Sequence, residues 1–342
     1  MGDEPGGALL PRVSIIVRSM ARPALGDALA SIGAQDYPHI ETLVVAACGA
    51  VHPVPAERTG AHPVRFVAGA GPRTRPQAAN AGLDAATGDW ITFLDDDDVL
   101  LPAHISGLVD VQRNAGASRL VYTLARARFA DDSTRTVGQP FALHEIHERN
   151  FIQLSMALFA RELVELGCRF DESLEILQDW DFFIQCAQHT RFHFAPRQTF
   201  EWRAEAGSSG TGGGINQDDA RFATFRDRIY AKWAVQYDAL VERVAAMLAR
   251  AGERAQHGDL AAAEAICREV LDTSQNDPFA LNMLAMVQRA GGRLDEARAT
   301  QQLACAVRPH DRALAHNLAL LQRVSGGAMP VPKPGERSDA PT

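Results

Sequence analysis

The sequence has few cysteines, and none of them are paired in a motif. The five cysteines among 342 residues are scattered, and none is part of a C-x-x-C spacing. An odd number of isolated cysteines argues against both a disulfide framework and a zinc ribbon. Such residues are typical of buried, reduced thiols in a cytosolic protein, and we therefore expect a cytoplasmic location.

The chain also lacks an excess of positive charge and any long apolar run. It has 34 basic against 42 acidic residues, a formal net charge of −8. This balance argues against nucleic acid and anionic lipid as partners. Residues 1–11 contain Asp3 and Glu4 but no signal-like segment, and we expect them to be disordered. Apolar windows such as Phe151–Ala160 are too short to span a bilayer, so no transmembrane segment is expected.

The first half of the sequence alternates between strand-like and helix-like segments. Short runs rich in β-branched residues predict buried strands at Val13–Val17, Thr42–Val45, Val64–Val67 and Trp90–Leu94. Helices are predicted after Pro23, with an apolar stripe from Leu25 to Ile32, and over Gln77–Ala86. This order predicts a parallel α/β sheet with right-handed crossovers. Ligands of such sheets bind beyond the carboxyl ends of the strands.

The middle of the chain is mixed. We predict a strand over Val121–Phe129, helices over Phe151–Leu166 and Asp179–His189, and short strands at Phe192–Phe194 and Thr199–Trp202. The run Gly207-Ser-Ser-Gly-Thr-Gly-Gly-Gly214 predicts a mobile loop that could act as a lid. A fixed phosphate cradle is the alternative, but the run lacks the spacing and the following Lys-Ser or Lys-Thr of that motif.

The last third is rich in alanine, leucine and arginine, and it contains an internal repeat. Gly258-Asp-Leu260 recurs as Gly292-Arg-Leu294, an offset of 34 residues. This period is typical of tetratricopeptide (TPR) repeats, with an alanine-rich helical bundle as the alternative. We assign residues 237–325 to these repeats, with first helices at Asn282–Gln288 and Ala313–Gln322. Residues 326–342 are predicted to be a disordered tail.

Four consecutive aspartates, Asp95–Asp98, follow the strand predicted at Trp90–Leu94. Like charges in a row repel one another unless a cation or solvent neutralises them. At the carboxyl end of a central strand they predict a site of hard oxygen ligands that suits Mg²⁺ or Mn²⁺. A solvated acidic turn is the alternative, which the apolar segments on both sides disfavour.

Residues 12–236 resemble a family 2 glycosyltransferase of the GT-A fold. Order and spacing match that family in three blocks, which run from Val13 through Gln35-Asp-Tyr-Pro38 to Val45, from Asn80-Ala-Gly82 to Asp98, and from Phe170-Asp-Glu-Ser-Leu174 to Gln178-Asp-Trp-Asp181. The resemblance implies a Rossmann-like, mostly parallel sheet with flanking helices. The small all-α TPR-like domain would follow it.

The resemblance also implies a donor site. The family's D-x-D motif falls on Asp95, Asp96 and Asp97. Asp97, together with Asp95, would ligate the Mn²⁺ or Mg²⁺ that bridges the diphosphate of the donor, and Asp95 or Asp96 would contact the cation or the ribose. Arg75 and Asn80 fall where such enzymes approach the nucleotide. A surface arginine and a helix-capping asparagine are the alternatives.

For the catalytic base, the family uses the aspartate of a Glu-Asp pair that precedes an aromatic residue. Gln178 replaces that glutamate here, but Asp179 is present and Trp180 follows it. The resemblance therefore implies Asp179 as the general base that takes the proton of the acceptor hydroxyl. Trp180 and Asp181 would support the loop or the acceptor pocket. A helix N-cap is the alternative role for Asp179.

One segment departs from the family. After its second strand the family usually presents one or two aspartates to the nucleobase and ribose, whereas this sequence reads Val45-Ala-Ala-Cys-Gly49. The departure weakens the case for a uridine nucleotide, and His52 and Arg18 are the candidates to compensate. Trp202 and Arg203, just before the glycine run, are expected to close over the donor, as similar segments do in related enzymes.

Two functional hypotheses follow. The first is a metal-dependent, inverting enzyme that moves a sugar from a nucleotide-sugar donor to a hydroxyl of a glycan, glycolipid or protein, as in polysaccharide biosynthesis. The second is a catalytically degenerate glycosyltransferase-like scaffold. In either case the TPR-like repeats would bind a protein partner or mediate self-association.

Overall fold

The computed structural model describes residues 10–129, 131–204 and 218–323. These divide into two compact units, one ending at Asp238 and the other beginning at Ala239. The glycine run at 207–214 and the tail from residue 326 lie outside the described residues, as do residues 1–9. Pro11, the last residue of the segment that we expected to be disordered, is among the described residues, and its carbonyl accepts a hydrogen bond from the Tyr37 hydroxyl at 2.5 Å.

A mixed sheet of ten strands forms the first unit. Its strands are β1 Val13–Ser19, β2 Ile40–Ala46, β3 Arg58–Thr59, β4 His62–Val67, β5 Trp90–Asp95, β6 Val99–Leu100, β7 Leu120–Phe129, β8 Thr134–Val137, β9 Ala157–Ala160 and β10 Phe192–Ala204. The predicted strands from Val13 to Leu94 are all present in it. They are short and largely buried, which is the environment their β-branched side chains favour.

Strand order explains where a ligand site can form. The sheet runs β3-β4-β2-β1-β5-β9-β7-β10-β6, and β8 pairs with β7. β4, β2, β1 and β5 are mutually parallel, with Arg18 of β1 aligned with Val45 on one side and Asp95 on the other. The carboxyl ends of β1, β2 and β5 therefore meet at one edge of the sheet.

Helices flank the sheet and make up the second unit. They are α1 Leu25–Gly33, α2 Arg75–Ala85, α3 His104–Arg113, α4 Leu143–Glu148, α5 Arg161–Glu165, α6 Gln178–Ala187, α7 Asp219–Gln256, α8 Leu260–Thr273, α9 Pro278–Ala290, α10 Leu294–Val307 and α11 Arg312–Arg323. Short 3₁₀ turns span Gly49–Val51 and Leu154–Met156. The predicted fold class, an α/β sheet with flanking helices followed by an all-helical part, is confirmed.

The helix predicted over Phe151–Leu166 is wrong. The structure has the 3₁₀ turn, then β9 and then the short helix α5 in this segment. β9 inserts between β5 and β7 as an antiparallel strand, and its four side chains are buried. Burial on both faces of a sheet outweighs helix propensity here. The two strands predicted at Phe192–Phe194 and Thr199–Trp202 are one strand, β10, which bulges near Gln198 as it follows β7.

The second unit repeats its helix starts at the predicted period. α8 and α10 begin at Leu260 and Leu294, the third residues of the two repeated tripeptides, and are therefore also 34 residues apart. Gly258 and Gly292, which precede them, both have positive φ angles of 80° and 77°, a conformation that favours glycine. Asp277 and Asp311 each accept two backbone N–H groups at the starts of α9 and α11. That these repeats are TPR repeats stays a prediction.

At the edge of the sheet opposite the carboxyl strand ends, Glu41 forms a buried network. Its carboxylate accepts hydrogen bonds from the Ser14 hydroxyl at 2.6 Å and from the backbone N–H of Thr87 at 2.7 Å. Gly88 approaches so closely that a Cβ on it would lie 2.7 Å from the Ser14 nitrogen. Arg12 and Arg65 add ion pairs at 3.1 and 3.3 Å. Glu41 therefore joins β1, β2 and the turn before β5.

All five cysteines are free thiols, and Cys168, Cys186 and Cys267 are buried. Throughout the part of the chain that the structure describes, no helix combines the length and the apolar character needed to cross a bilayer.

Candidate active site

A cleft of about 600 Å³ opens at the edge where β1, β2 and β5 end. Many of its lining side chains are charged, including seven arginines and five aspartates. The predicted site residues that line it are Arg18, Arg75, Asp95, Asp96, Asp97, Asp179, Trp180, Trp202 and Arg203. The first unit thus gathers most of the predicted residues into one cleft, although they come from separate strands, turns and helices.

The acidic turn, Asp95–Asp98, forms one wall of the cleft. Asp95 ends β5, and the Asp98 N–H donates back to the Asp95 carbonyl at 3.1 Å. Arg18 holds Asp95 through Nη2 and Nε, which lie 2.6 and 3.0 Å from Oδ1. Arg22 Nη1 lies 3.0 Å from Asp96 and 2.6 Å from Asp97. Guanidinium groups therefore offset part of the negative charge of this turn.

Three of the four carboxylates are placed to share a cation. One oxygen each from Asp95, Asp97 and Asp98 lies within 4.8 Å of the others. Asp96 is directed elsewhere, because its carboxylate accepts hydrogen bonds from the Met20 N–H at 2.7 Å and the Ser19 hydroxyl at 3.1 Å. Asp95 and Asp97 were the two predicted ligands. Asp98, which was predicted only as part of the acidic run, joins them because the turn folds it back toward Asp95.

The electrostatics of this group fit a divalent cation. Burial, and then the charge of Asp95, raises the pKa of Asp97 and raises that of Asp98 well above its ordinary value. Burial is also the largest influence on Asp95, but the charge and hydrogen bonds of Arg18 together with the charges of Arg75 and Arg22 outweigh it, and the pKa of Asp95 is lowered. The two raised values mean that negative charge on the turn is incompletely compensated. Hard carboxylate oxygens in this number are a donor set suited to Mg²⁺ or Mn²⁺.

Asp179 lies across the cleft in the first turn of α6. The helix N-cap is Leu177, so the alternative that Asp179 is itself the N-cap is wrong. Leu177 has a φ angle of 61°, which is unusual for a residue with a side chain. This backbone conformation sets the direction in which α6 begins. Asn150 Nδ2 donates to Asp179 Oδ2 at 3.1 Å. Burial raises the pKa of Asp179, although Arg18 and Arg75 oppose the shift.

Two predicted residues are not part of the cleft lining. Asn80 exchanges hydrogen bonds with the backbone of Phe170, one in each direction at 3.0 Å, and so fastens α2 to the segment before α6. Asp181 is fully buried and accepts hydrogen bonds from Lys232 at 2.9 Å and Trp233 at 2.8 Å. Both side chains are occupied in holding elements of the first unit together.

Removing the Asp181 carboxylate should destabilise the first unit. An Asp181→Ala variant leaves the Trp233 indole N–H without an acceptor, while Lys232 retains its ion pair with Asp171. We expect a loss of about 1–3 kcal/mol in the free energy of unfolding, the range for a buried donor that is left unsatisfied. Urea unfolding measures this loss. Glu165→Ala, which removes an exposed ion pair, is the control, and equal losses in both variants would contradict the assignment.

The other predicted residues line the cleft in different ways. The Trp180 indole donates to the Ile146 carbonyl at 2.5 Å and joins α6 to α4. The Arg203 N–H donates to Asp98 at 3.1 Å, so β10 supports the acidic turn. Burial lowers the pKa of Arg75, and the charge of Asp95 opposes the shift. Trp202 and Arg203 lie near the end of β10, and the residues that follow this strand, 205–217, are outside the described part of the chain.

At the end of β2, where the resemblance led us to expect aspartates, Arg73 contacts the backbone. Its guanidinium donates to the Ala46 carbonyl at 2.9 Å, and its N–H donates to the Ala47 carbonyl at 2.8 Å. His52 does not line the cleft but lies 2.8 Å from the Ser19 hydroxyl, which in turn binds Asp96. His52 thus supports the acidic turn indirectly.

Arg22 and Asn150 are cleft residues that sequence analysis missed as functional candidates. Arg22 directly precedes Pro23, after which a helix was predicted, and it lies within the first block of the resemblance. Asn150 has no local signal, because its partner Asp179 is 29 residues further along the chain.

Part of the chain is similar to known proteins. Residues 14–163, somewhat less than half of the chain, match the model of glycosyl transferase family 2. An uncharacterized glycosyltransferase of Haemophilus influenzae is 25% identical over 187 residues, which cover 53% of this chain and 63% of that protein. The uncharacterized protein y4gI of Sinorhizobium fredii is 27% identical over 146 residues, 39% of this chain and 15% of its own length.

The chain thus spans less than two thirds of either curated relative. Among solved structures, S. aureus TarS 1–349 in complex with UDP-GlcNAc aligns over 92% of this chain and 91% of that one, with 14% identity and a TM-score of 0.48.

Proposed function

We propose that the first unit is a glycosyltransferase that moves a sugar from a nucleotide-sugar donor to an acceptor hydroxyl with inversion. The observation that carries the proposal is that one cleft contains both Asp179 and three aspartates with oxygens close enough together to share a cation. The match of residues 14–163 to glycosyl transferase family 2 supports the same reaction class.

Asp95, Asp97 and Asp98 would hold Mn²⁺ or Mg²⁺. A bound divalent cation supplies Lewis-acid neutralisation of charge on the departing nucleoside diphosphate. Arg18 and Arg75 add positive charge on the same side of the cleft, and Arg18 Nη1 has no hydrogen-bond acceptor among the described residues. These guanidinium groups are suited to bind the donor phosphates.

Asp179 would act as the general base. Its carboxylate lines the cleft, and its partial burial favours proton uptake from an acceptor hydroxyl. Trp180, Trp202 and Arg203 would contact the acceptor or close over the donor. The acceptor belongs to the class of glycans, glycolipids or proteins, and the TPR-like repeats would bind a protein partner or a second copy of the chain.

A scaffold without activity is the second candidate, favoured by one observation. The segment that ends β2 has Ala46 and Ala47 instead of carboxylates, and Arg73 donates to the carbonyls of both residues. If the chain is such a scaffold, nucleotides should not bind in the cleft and should not stabilise the chain.

Metal-dependent nucleotide binding separates the two candidates. We expect nucleoside diphosphates with Mn²⁺ to raise the melting temperature, because ligands of the native state stabilise it. At a ligand concentration of about 100 times Kd, the free energy of unfolding should increase by about 2.7 kcal/mol. EDTA should remove most of this gain. Asp97→Ala and Asp98→Ala should lose it as well, since each removes a ligand from the group.

The matched control is Asp110→Ala, which changes an exposed aspartate on α3. It should retain the full thermal shift. If no nucleoside diphosphate stabilises the wild-type chain with Mn²⁺ or Mg²⁺, the scaffold becomes the better account. If stabilisation survives both EDTA and the two substitutions, the chain binds nucleotide without the cation site.

A further inference from the structure

Asn150 is the side chain that hydrogen-bonds the Asp179 carboxylate, among the residues that the structure describes. Its Nδ2 lies 3.1 Å from Asp179 Oδ2. On the other side of the amide, the Ile152 N–H donates to Asn150 Oδ1, also at 3.1 Å. A backbone N–H can only donate, so Oδ1 must face Ile152 and the amide nitrogen must face Asp179. The orientation of the amide is therefore determined by its surroundings.

The backbone around Asn150 is held firmly. Asn150 follows α4, whose Ile146 carbonyl accepts the Trp180 indole N–H, and Trp180 is the neighbour of Asp179. The Glu148 carbonyl accepts a hydrogen bond from the Tyr230 hydroxyl at 2.7 Å. The two partners of the Asn150–Asp179 contact thus sit on elements that are joined to each other. Such support keeps a side chain in its working geometry.

The chemistry of the contact matches the needs of a general base. An amide N–H donates to an ionised carboxylate and stabilises it, whereas burial of Asp179 acts in the opposite direction. Because Asn150 binds Oδ2, the side-chain torsion of Asp179 is restricted. The other carboxylate oxygen, Oδ1, is therefore held in one orientation. Catalytic groups held in a productive geometry lower the barrier, and small displacements are costly.

We propose that Asn150 is a positioning residue, which orients the Asp179 carboxylate and keeps it ionised for proton transfer from the acceptor. The inference rests on the proposed function of Asp179 as the base. Asn150 itself does not exchange a proton in this reaction.

The test compares three variants. Asn150→Ala removes the donor, Asn150→Asp replaces it with a negative charge of nearly the same shape, and Asn150→Ser keeps a shorter donor. We expect kcat to fall by about tenfold in Asn150→Ala, the effect of one hydrogen bond to a charged group, and further in Asn150→Asp. Kd for the nucleoside diphosphate with Mn²⁺ should be unchanged, and Asn150→Ser should recover part of kcat.

A purely structural role would not move the acidic limb of the pH profile. In Asn150→Ala the midpoint of kcat/KM at low pH should rise by about one to two units, and it should rise most in Asn150→Asp. Asn114→Ala, which changes an exposed asparagine at the end of α3, is the control and should leave both kcat and the profile unchanged. An Asn150→Ala variant with the wild-type kcat and midpoint overturns the proposal.

A readout without catalysis separates failure of this inference from failure of the proposed function. The carboxyl ¹³C resonance of Asp179, assigned by its loss in Asp179→Asn, reports the titration directly. Its midpoint should rise in Asn150→Ala by the same one to two units, about the worth of one hydrogen bond to an ionised group. If the wild-type chain transfers no sugar but the midpoint moves, the contact exists and the reaction class is wrong. If the midpoint is unchanged, the role of Asn150 is wrong whatever the activity.

Discussion

Replacing Asp179 with asparagine is expected to lower kcat for sugar transfer by about 10²–10⁴-fold, the contribution typical of a positioned general base. The amide keeps the shape of the side chain but cannot accept the proton of the acceptor hydroxyl. Nucleotide and cation binding should remain, because the acidic turn is unchanged. Steady-state kinetics and a calorimetric Kd for the nucleoside diphosphate with Mn²⁺ measure the two effects separately.

The pH dependence of this reaction has a defined sign. Burial raises the pKa of Asp179 above its ordinary value, even though Arg18 and Arg75 oppose the shift. A base acts in its ionised form, so kcat/KM should fall as the pH drops through that raised pKa. Asp179→Asn should remove this acidic limb together with the rate.

Asp110→Asn, on the exposed surface of α3, is the matched control and should show wild-type kinetics. An unchanged kcat in Asp179→Asn would exclude Asp179 as the base. A loss of nucleotide affinity in step with kcat would instead assign Asp179 to the donor site.

Replacing Glu41 with alanine is expected to reduce the stability of the first unit by about 3–5 kcal/mol, the range for breaking a buried ionic network. The side chain is fully buried and accepts hydrogen bonds from Ser14 and from Thr87. Its loss leaves these donors unsatisfied and leaves Arg12 without a partner in the network. Chemical unfolding in urea, followed by circular dichroism, measures the change in midpoint.

Acid should weaken the same network. Burial tends to raise the pKa of Glu41, but the hydrogen bonds from Ser14 and Thr87 outweigh it and the pKa is lowered from its ordinary value. A lowered pKa in the folded state contributes stability above the unfolded pKa, and this contribution is lost as the pH falls through the folded value. The difference between wild type and Glu41→Ala should therefore shrink in acid.

Glu162→Ala is the control for Glu41, because it removes an exposed ion pair with Arg119. Exposed pairs contribute at most about 1 kcal/mol. Similar unfolding midpoints for the Glu41 and Glu162 variants would show that the network contributes little.

The sequence predicts those elements whose own residues show a clear pattern. The strands from Val13 to Leu94 and the acidic run after them were readable, because buried parallel strands are apolar and β-branched. The structure of Phe151–Leu166 could not be predicted in this way, because β9 forms a strand only through its pairing with β5 and β7. No pattern within that segment states that two other strands will flank it.

The site shows the same division. A run of aspartates is visible in the sequence, but which of them face a common point depends on the turn. Asp98 joins Asp95 and Asp97, whereas Asp96 is drawn away by Ser19, a residue 77 positions earlier. Asn80 and Asp181 match family positions, yet their contacts with Phe170 and with α7 require the folded chain. Side-chain direction is a tertiary property.

Leu177 carries a further consequence. A left-handed conformation costs a residue with a side chain about 1–2 kcal/mol, a sizeable part of the 5–15 kcal/mol by which proteins are stable. Glycine would relieve that cost but would also release the backbone just before Asp179. Leu177 therefore lowers the stability of the fold while fixing the direction of the backbone that leads to Asp179. A Leu177→Gly variant would therefore gain stability only by making the backbone before Asp179, the proposed base, less rigid.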